Sequence, residues 1–148
     1  PHPVKGRYYV KDLQDWAQFC GIEIGAPPVF PVRAVNLMRA ALVALDAGCL
    51  PAFSRTAFHA YWGELRDVSQ PEELAEICTR VGLDPAETAE KIAGDDIKSR
   101  LRANTEELIA RGGFGSPSMF INGADMYFGN DRLPLVEAAL ARAVQAES

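Results

Sequence analysis

Reactive residue types are sparse in this 148-residue chain, and their spacing excludes several chemistries at once. Cys20, Cys49 and Cys78 are widely separated, sit among apolar residues and form no CxxC pair. They read as small buried thiols of a reducing compartment rather than as a disulfide framework. His2 and His59 have no cysteine or carboxylate at ligand spacing, so no zinc site is expected. What remains is a backbone device and a helix start. In "GFGSPSMFING" Pro117 stands directly before an apolar run that reads as a strand, where it removes a ladder donor. Two geometries accommodate it. One is a trans proline at a strand edge. The other is a cis proline, at a cost of only about 0.5–1 kcal/mol for an X-Pro bond. Shortly afterwards "YFGNDRL" offers Asn130 or Asp131 as the cap of a final helix.

The elements that must position these residues are mostly helical. "KGRYYVKDLQDWAQFCG" sets Tyr9, Leu13, Trp16 and Ala17 at helical spacing and stops at Gly21. "IGAPPVFPV" is extended by its prolines, which leaves Phe30 on a loop with few ways to hide its ring. "RAVNLMRAALVALDAGC" is apolar on most faces and suits a buried helix. "PAFSRTAFHAYWGEL" continues helical spacing through Phe53, Ala57 and Trp62. Two further helices carry terminal signals: Ser69 as a cap for one ending at Gly82, and Asp84, Pro85 and a reach-back from Glu87 for one ending at Gly94. The next runs from Asp95 and Asp96 to Arg111 and Gly112, its charges following the helix dipole. Only then does the pattern change. "PSMFI" and "MYF" flank Asn122-Gly123, the strongest short hairpin signal, and a last helix presents Leu133, Val136, Leu140 and Val144 on one face.

A two-stranded apolar hairpin is marginal alone. Its companion strands are therefore expected outside this chain, an expectation that the opening Pro-His-Pro, without Met, supports. A ββα unit with a proline at its first strand matches the C-terminal half of a thioredoxin-like domain. Net charge is -5, and no clustered basic face is visible, so nucleic acid is not the expected partner. No apolar stretch approaches the ~20 residues of a membrane span. No signal-peptide pattern is present, which makes the cytoplasm the expected location.

Five segments then carry a resemblance: "VKGRYYVKDLQDWAQFCGI", "FPVRAVNLMRAALVAL", "FHAYWGELRDVSQPEEL", "GFGSPSMFI" and "YFGNDRL". In this order the chain resembles the 2-hydroxychromene-2-carboxylate isomerases, relatives of the kappa-class glutathione transferases and of DsbA-like thioredoxin proteins. The implied fold is α/β, thioredoxin-like (DsbA-like), with a large all-helical insertion. Residues 1–112 would form that inserted helical domain and residues 113–148 the C-terminal ββα half of the thioredoxin-like domain, the N-terminal βαβ being absent. The catalytic serine of the family is expected ahead of Pro1, so no residue here takes that role. Glutathione is the implied cofactor and a small aromatic molecule the implied substrate. Addition of the thiolate to the conjugated substrate would turn a double bond single, permit rotation, and be reversed.

By this resemblance Ser116 offers its peptide N–H and C=O to the cysteinyl unit of glutathione, beside a cis Pro117. Phe128, Gly129, Asn130 and Asp131 match the stretch whose helix-terminal N–H groups receive the γ-glutamyl carboxylate, with the Asp131 carboxylate on its amine. A plain helix cap is the alternative for Asn130 and Asp131. Lys5 corresponds to a basic residue near the active site and Phe30 to an aromatic ring facing the substrate, against a solvated lysine and a core phenylalanine. Serine at 116 departs from the usual valine or alanine, and "NGADM" makes the turn one residue longer than usual. Family members are often homodimers. A kappa-like transferase, a disulfide oxidoreductase with CxxC ahead of Pro1, and a helical binding module remain the alternatives.

Overall fold

The computed structural model describes residues 3–146, so His2 lies outside the described residues. They divide into two compact units, one up to Leu101 and the other from Arg102 on. The first is helical: α1 Pro3–Cys20, α2 Val35–Asp46, α3 Leu50–Phe58, a π-turn His59–Gly63, α4 Pro71–Arg80 and α5 Pro85–Ala93, followed by the start of α6 Asp95–Ala110. The second holds the rest of α6, β1 Ser118–Ile121, β2 Asp125–Phe128, a 3-10 turn Asn130–Arg132 and α7 Leu133–Ala146.

The core of the first unit follows from small residues on α2. Ala40 and Ala44 are fully buried, which lets α3 and α5 pack closely against this helix. Phe53 of α3, Ile77 and Cys78 of α4 and Ile92 of α5 fill the space between. Each large side chain so buried contributes about 1.5–3 kcal/mol. Asp84 caps α5 as expected, its carboxylate accepting from the Glu87 N–H at 2.8 Å. Glu87 itself does not reach back; it pairs with Lys91 one turn on. Ser69 caps nothing: Gln70 holds the cap position of α4, and the Ser69 hydroxyl donates to Asp67 at 2.6 Å.

A second departure follows α3. The α-helical ladder gives way after Phe58 to a turn in which the Glu64 N–H bonds to the His59 carbonyl at 2.8 Å. That widened turn frees the Trp62 carbonyl, which accepts from the Gly25 N–H at 2.8 Å and so anchors the 22–34 loop. Glycine at 25 lets Leu65 pack close, since a Cβ there would stand 2.7 Å from Leu65 Cδ2 and the leucine would have to shift. Around the end of the turn, Glu64, Arg66, Glu73, Glu76 and Arg80 form one ion-pair network.

The helix expected at α1 forms, and burial along it corrects one expectation, that for Cys20. Ala17 is buried, but Tyr9, Leu13 and Trp16 are exposed, and Cys20, expected as a buried thiol, is exposed as well. Likewise α7 buries Ala139, while Leu133, Leu140 and Val144 stand exposed and Val136 is half-buried. The hairpin pairs Ser118 with Phe128 and Ile121 with Asp125 in antiparallel register. Its turn has Asn122 and Gly123 at φ +48 and +83, the left-handed conformations this dipeptide adopts readily.

Candidate functional site

The second unit gathers the residues that the sequence singled out around Pro117. The Ser116–Pro117 peptide bond is cis, and Pro117 lies one residue outside β1, so it removes no ladder bond from the strand. Its carbonyl accepts from the Gly129 N–H at 3.1 Å, one step beyond the Ser118 and Phe128 pair. Ser116 is exposed, and neither its N–H nor its C=O is hydrogen-bonded among the described residues. An unpaired peptide on a strand extension is what a second extended backbone needs for pairing.

Gly129 makes the corner on the other side. Its φ of +108 belongs to glycine, and a Cβ would fall 2.7 Å from Asp131 Oδ1. Immediately after it the chain enters the Asn130–Arg132 turn, with the Arg132 N–H on the Gly129 carbonyl at 3.3 Å, and continues into α7. The sequence expectation of an Asn130 or Asp131 side-chain cap is corrected here. Gly129 takes the cap position of the 3-10 turn that leads into α7, no side chain among the described residues caps that turn, and the Asp131 carboxylate turns to the Arg132 guanidinium. The first N–H groups of this helical stretch therefore stay open to an incoming anion.

Phe128 ends β2 with its ring over the Gly115 backbone, where an added Cβ would meet Cε2 at 2.8 Å. Its other neighbour is Phe114, at 4.6 Å between centroids. Phe114 is 71% exposed beside Phe128, and the sequence reading did not single it out. Behind the hairpin, Arg111 lies over the Phe120 ring at 3.9 Å and donates to the Gly123 carbonyl at 3.0 Å, tying the turn to the end of α6.

Lys5 and Phe30 belong to the first unit. Lys5 is exposed on the first turns of α1. Phe30 is not packed in the core: it is 73% exposed and leans on Trp62 at 6.1 Å. The loop that carries it is held by the Tyr61 hydroxyl, which donates to the Val29 carbonyl at 2.8 Å. Burial pushes the Tyr61 phenol up, with the Asp67 carboxylate adding to it, so the hydroxyl stays a donor. Beside this loop an apolar cleft of about 210 Å³ is lined by Met38, Phe58, Tyr61 and Trp62 among others. The π-turn sets these last two aromatics side by side, 4.9 Å apart, which α-helical spacing would not have disclosed.

Residues 2–141 match the DSBA-like thioredoxin domain family, and the chain belongs to it. A 2-hydroxychromene-2-carboxylate isomerase of Pseudomonas putida is 30% identical over 139 residues, 94% of this chain and 67% of that protein. A solved structure of 2-hydroxychromene-2-carboxylate isomerase superposes with a TM-score of 0.85 at 27% identity, covering 97% of this chain and 70% of that one. Within the DSBA-like class the chain thus falls in the isomerase family. The glutathione S-transferase kappa 2 of Caenorhabditis elegans is 29% identical over 152 residues, 94% of this chain and 68% of that protein. The chain spans about two-thirds of the length of these relatives.

Proposed function

We propose that this chain provides the glutathione site of a glutathione-dependent cis-trans isomerase acting on a 2-hydroxychromene-2-carboxylate type of aromatic intermediate, in the cytoplasm. The observation that carries the reading is the Gly129 to Pro117 hydrogen bond, which sets the unpaired Ser116 peptide beside the open N–H groups of the Asn130–Arg132 turn. A peptide ligand with a free α-carboxylate and amine at one end fits such a pair of features. Ser116 would pair with its cysteinyl backbone. The N–H groups after Gly129 would take the γ-glutamyl carboxylate, and Asp131, shared with Arg132, its amine. Phe128 would cover the ligand's apolar stem. Bound glutathione would supply a thiolate whose reversible addition to the conjugated substrate makes bond rotation easy.

On the substrate side we propose Lys5 for the carboxylate and Phe30, with Trp62 behind it, for the aromatic ring. Both rest on correspondence with the isomerase family. Residues 1–112 as the inserted helical domain and 113–148 as the ββα half of the thioredoxin-like domain are part of the same proposal, as is the homodimer.

Calorimetric titration with glutathione tests the site. Asp131→Ala should weaken binding severalfold or more, and an unchanged affinity overturns the γ-glutamyl assignment. The kappa relatives favour a second reading, conjugation of glutathione to other electrophiles. Glutathione-dependent change in the chromophore of 2-hydroxychromene-2-carboxylate supports the isomerase. Conjugation of a chlorodinitrobenzene without that change supports the transferase.

A further inference from the structure

A groove of about 470 Å³ in the first unit, away in sequence from the residues above, is lined by α2, α4, α5 and Lys98 of α6. Most of its surface is aliphatic, from Leu74 and Ile92 with alanines and prolines between them, and no aromatic ring or carboxylate lines it. Two cations do: Arg39 and Lys98, with the amide of Asn36. In a chain of net charge -5, the other half-buried arginines among the described residues, Arg66 and Arg100, both lie on carboxylates, so Arg39 stands apart.

Arg39 is the informative residue. It is half-buried, it has no ion pair among the described residues, and its Nε is closed off from solvent without a hydrogen-bond partner. Its Nη1 reaches only Asn36 Oδ1, at the limiting distance of 3.5 Å. A guanidinium desolvated on one edge and unpaired on the other is costly unless an anion joins it. Lys98 meets only Asp95 Oδ1 at 3.3 Å, an exposed pair of the weak surface kind that yields to a better-placed anion. Around the two cations the groove floor is hydrocarbon, which favours an apolar body attached to the anion.

We infer that this groove binds a small aliphatic monocarboxylate, its head on the Arg39 guanidinium beside Lys98 and its chain across Leu74 and Ile92. The carboxylate takes the Nη hydrogens, and a small rotation of the side chain brings the Nε–H onto the same group, giving the bidentate contact that guanidinium and carboxylate planes favour. None of these residues belongs to the proposed glutathione site, so the outcome is independent of that reading.

Calorimetry on the 148-residue chain with octanoate tests the inference. Saturable one-site binding is expected, weakened at least tenfold in Arg39→Met. Octan-1-ol, which keeps the chain and lacks the charge, should bind at least tenfold more weakly, and so should inorganic phosphate, which has charge and no chain. Absence of saturable octanoate binding, equal affinity in the variant, or equal binding of either control overturns it. Where circular dichroism shows Arg39→Met to be poorly folded, Lys98→Met takes its place: a severalfold loss supports the site and an unchanged affinity overturns it.

Discussion

Gly129 donates its backbone N–H to the carbonyl of Pro117 at 3.1 Å. One bond thereby joins the residue after Ser116 to the residue before Asn130, and no side chain takes part. The geometry of the proposed glutathione site is a property of the backbone on one side and of a glycine corner on the other.

Ser116 should accordingly tolerate change. Its N–H and C=O are unpaired among the described residues, while its side chain makes no contact that the site requires. Ser116→Ala is expected to bind glutathione within about twofold of the parent by calorimetry. A tenfold loss would assign a role to the hydroxyl instead.

Gly129→Ala should be damaging. The new methyl would stand 2.7 Å from Asp131 Oδ1 on a residue at φ +108, so both backbone conformation and the carboxylate must shift. Holding a non-glycine residue in such a region costs on the order of 1–3 kcal/mol. Urea unfolding should show that loss, and glutathione affinity should fall with it. An unchanged unfolding midpoint would show that the corner relaxes freely.

The ion-pair network beyond the π-turn predicts an acid dependence. The Arg66 and Arg80 guanidiniums hold the Glu76 carboxyl down at about 2 and also lower Glu64, which Arg80 contacts most closely. A carboxylate whose folded pKa is depressed stabilises the fold above its unfolded pKa, and that contribution is lost as pH falls through the folded value. Glu76→Gln should therefore melt earlier than the parent at pH 7. The gap should close between pH 4.5, its ordinary value, and pH 2. A gap unchanged at pH 2, measured by thermal melts, would assign the effect to packing.

Tyr61→Phe removes the hydroxyl that holds the loop at Val29 and leaves that carbonyl without its donor. About 0.5–1.5 kcal/mol of stability should be lost. The exposure of the Phe30 loop should rise with it, read as faster hydrogen exchange at Gly25, whose N–H sits on Trp62. Equal exchange in parent and variant would show that the Trp62 bond suffices to hold the loop.

Where local chemistry dictates the backbone, the sequence was legible. Asn122-Gly123 turns as that dipeptide readily does, Asp84 caps α5, and the helical spacing through Phe53, Ala57 and Trp62 buries the first two and half-buries the third. Illegible features arise where backbone groups substitute for side chains. The turn after Gly129 needs no side-chain cap, so nothing in Asn130-Asp131 announced that the carboxylate would turn to Arg132. The same apolar spacing that marks a buried face also describes α1, where Tyr9, Leu13 and Trp16 are exposed, because periodicity records amphipathicity without saying what covers it. Arg39 is illegible for a similar reason: only the fold reveals that its Nε is shut off from solvent without a partner.

The widened turn at His59–Gly63 acts as a phase slip in an otherwise regular helix. Losing a single residue there would restore an ordinary α ladder and leave the core contacts of Phe53 and Ala57 in register. Because a π-turn holds one residue more than an α-turn between the same ends, the chain beyond Glu64 would keep its course and only the residues of the turn itself would be reset. Tyr61 and Trp62 would then point elsewhere, and the Gly25 N–H would lose its acceptor. Length variation at this point is thus a dial on the aromatic cleft, able to reorient its walls while the helical core stays intact.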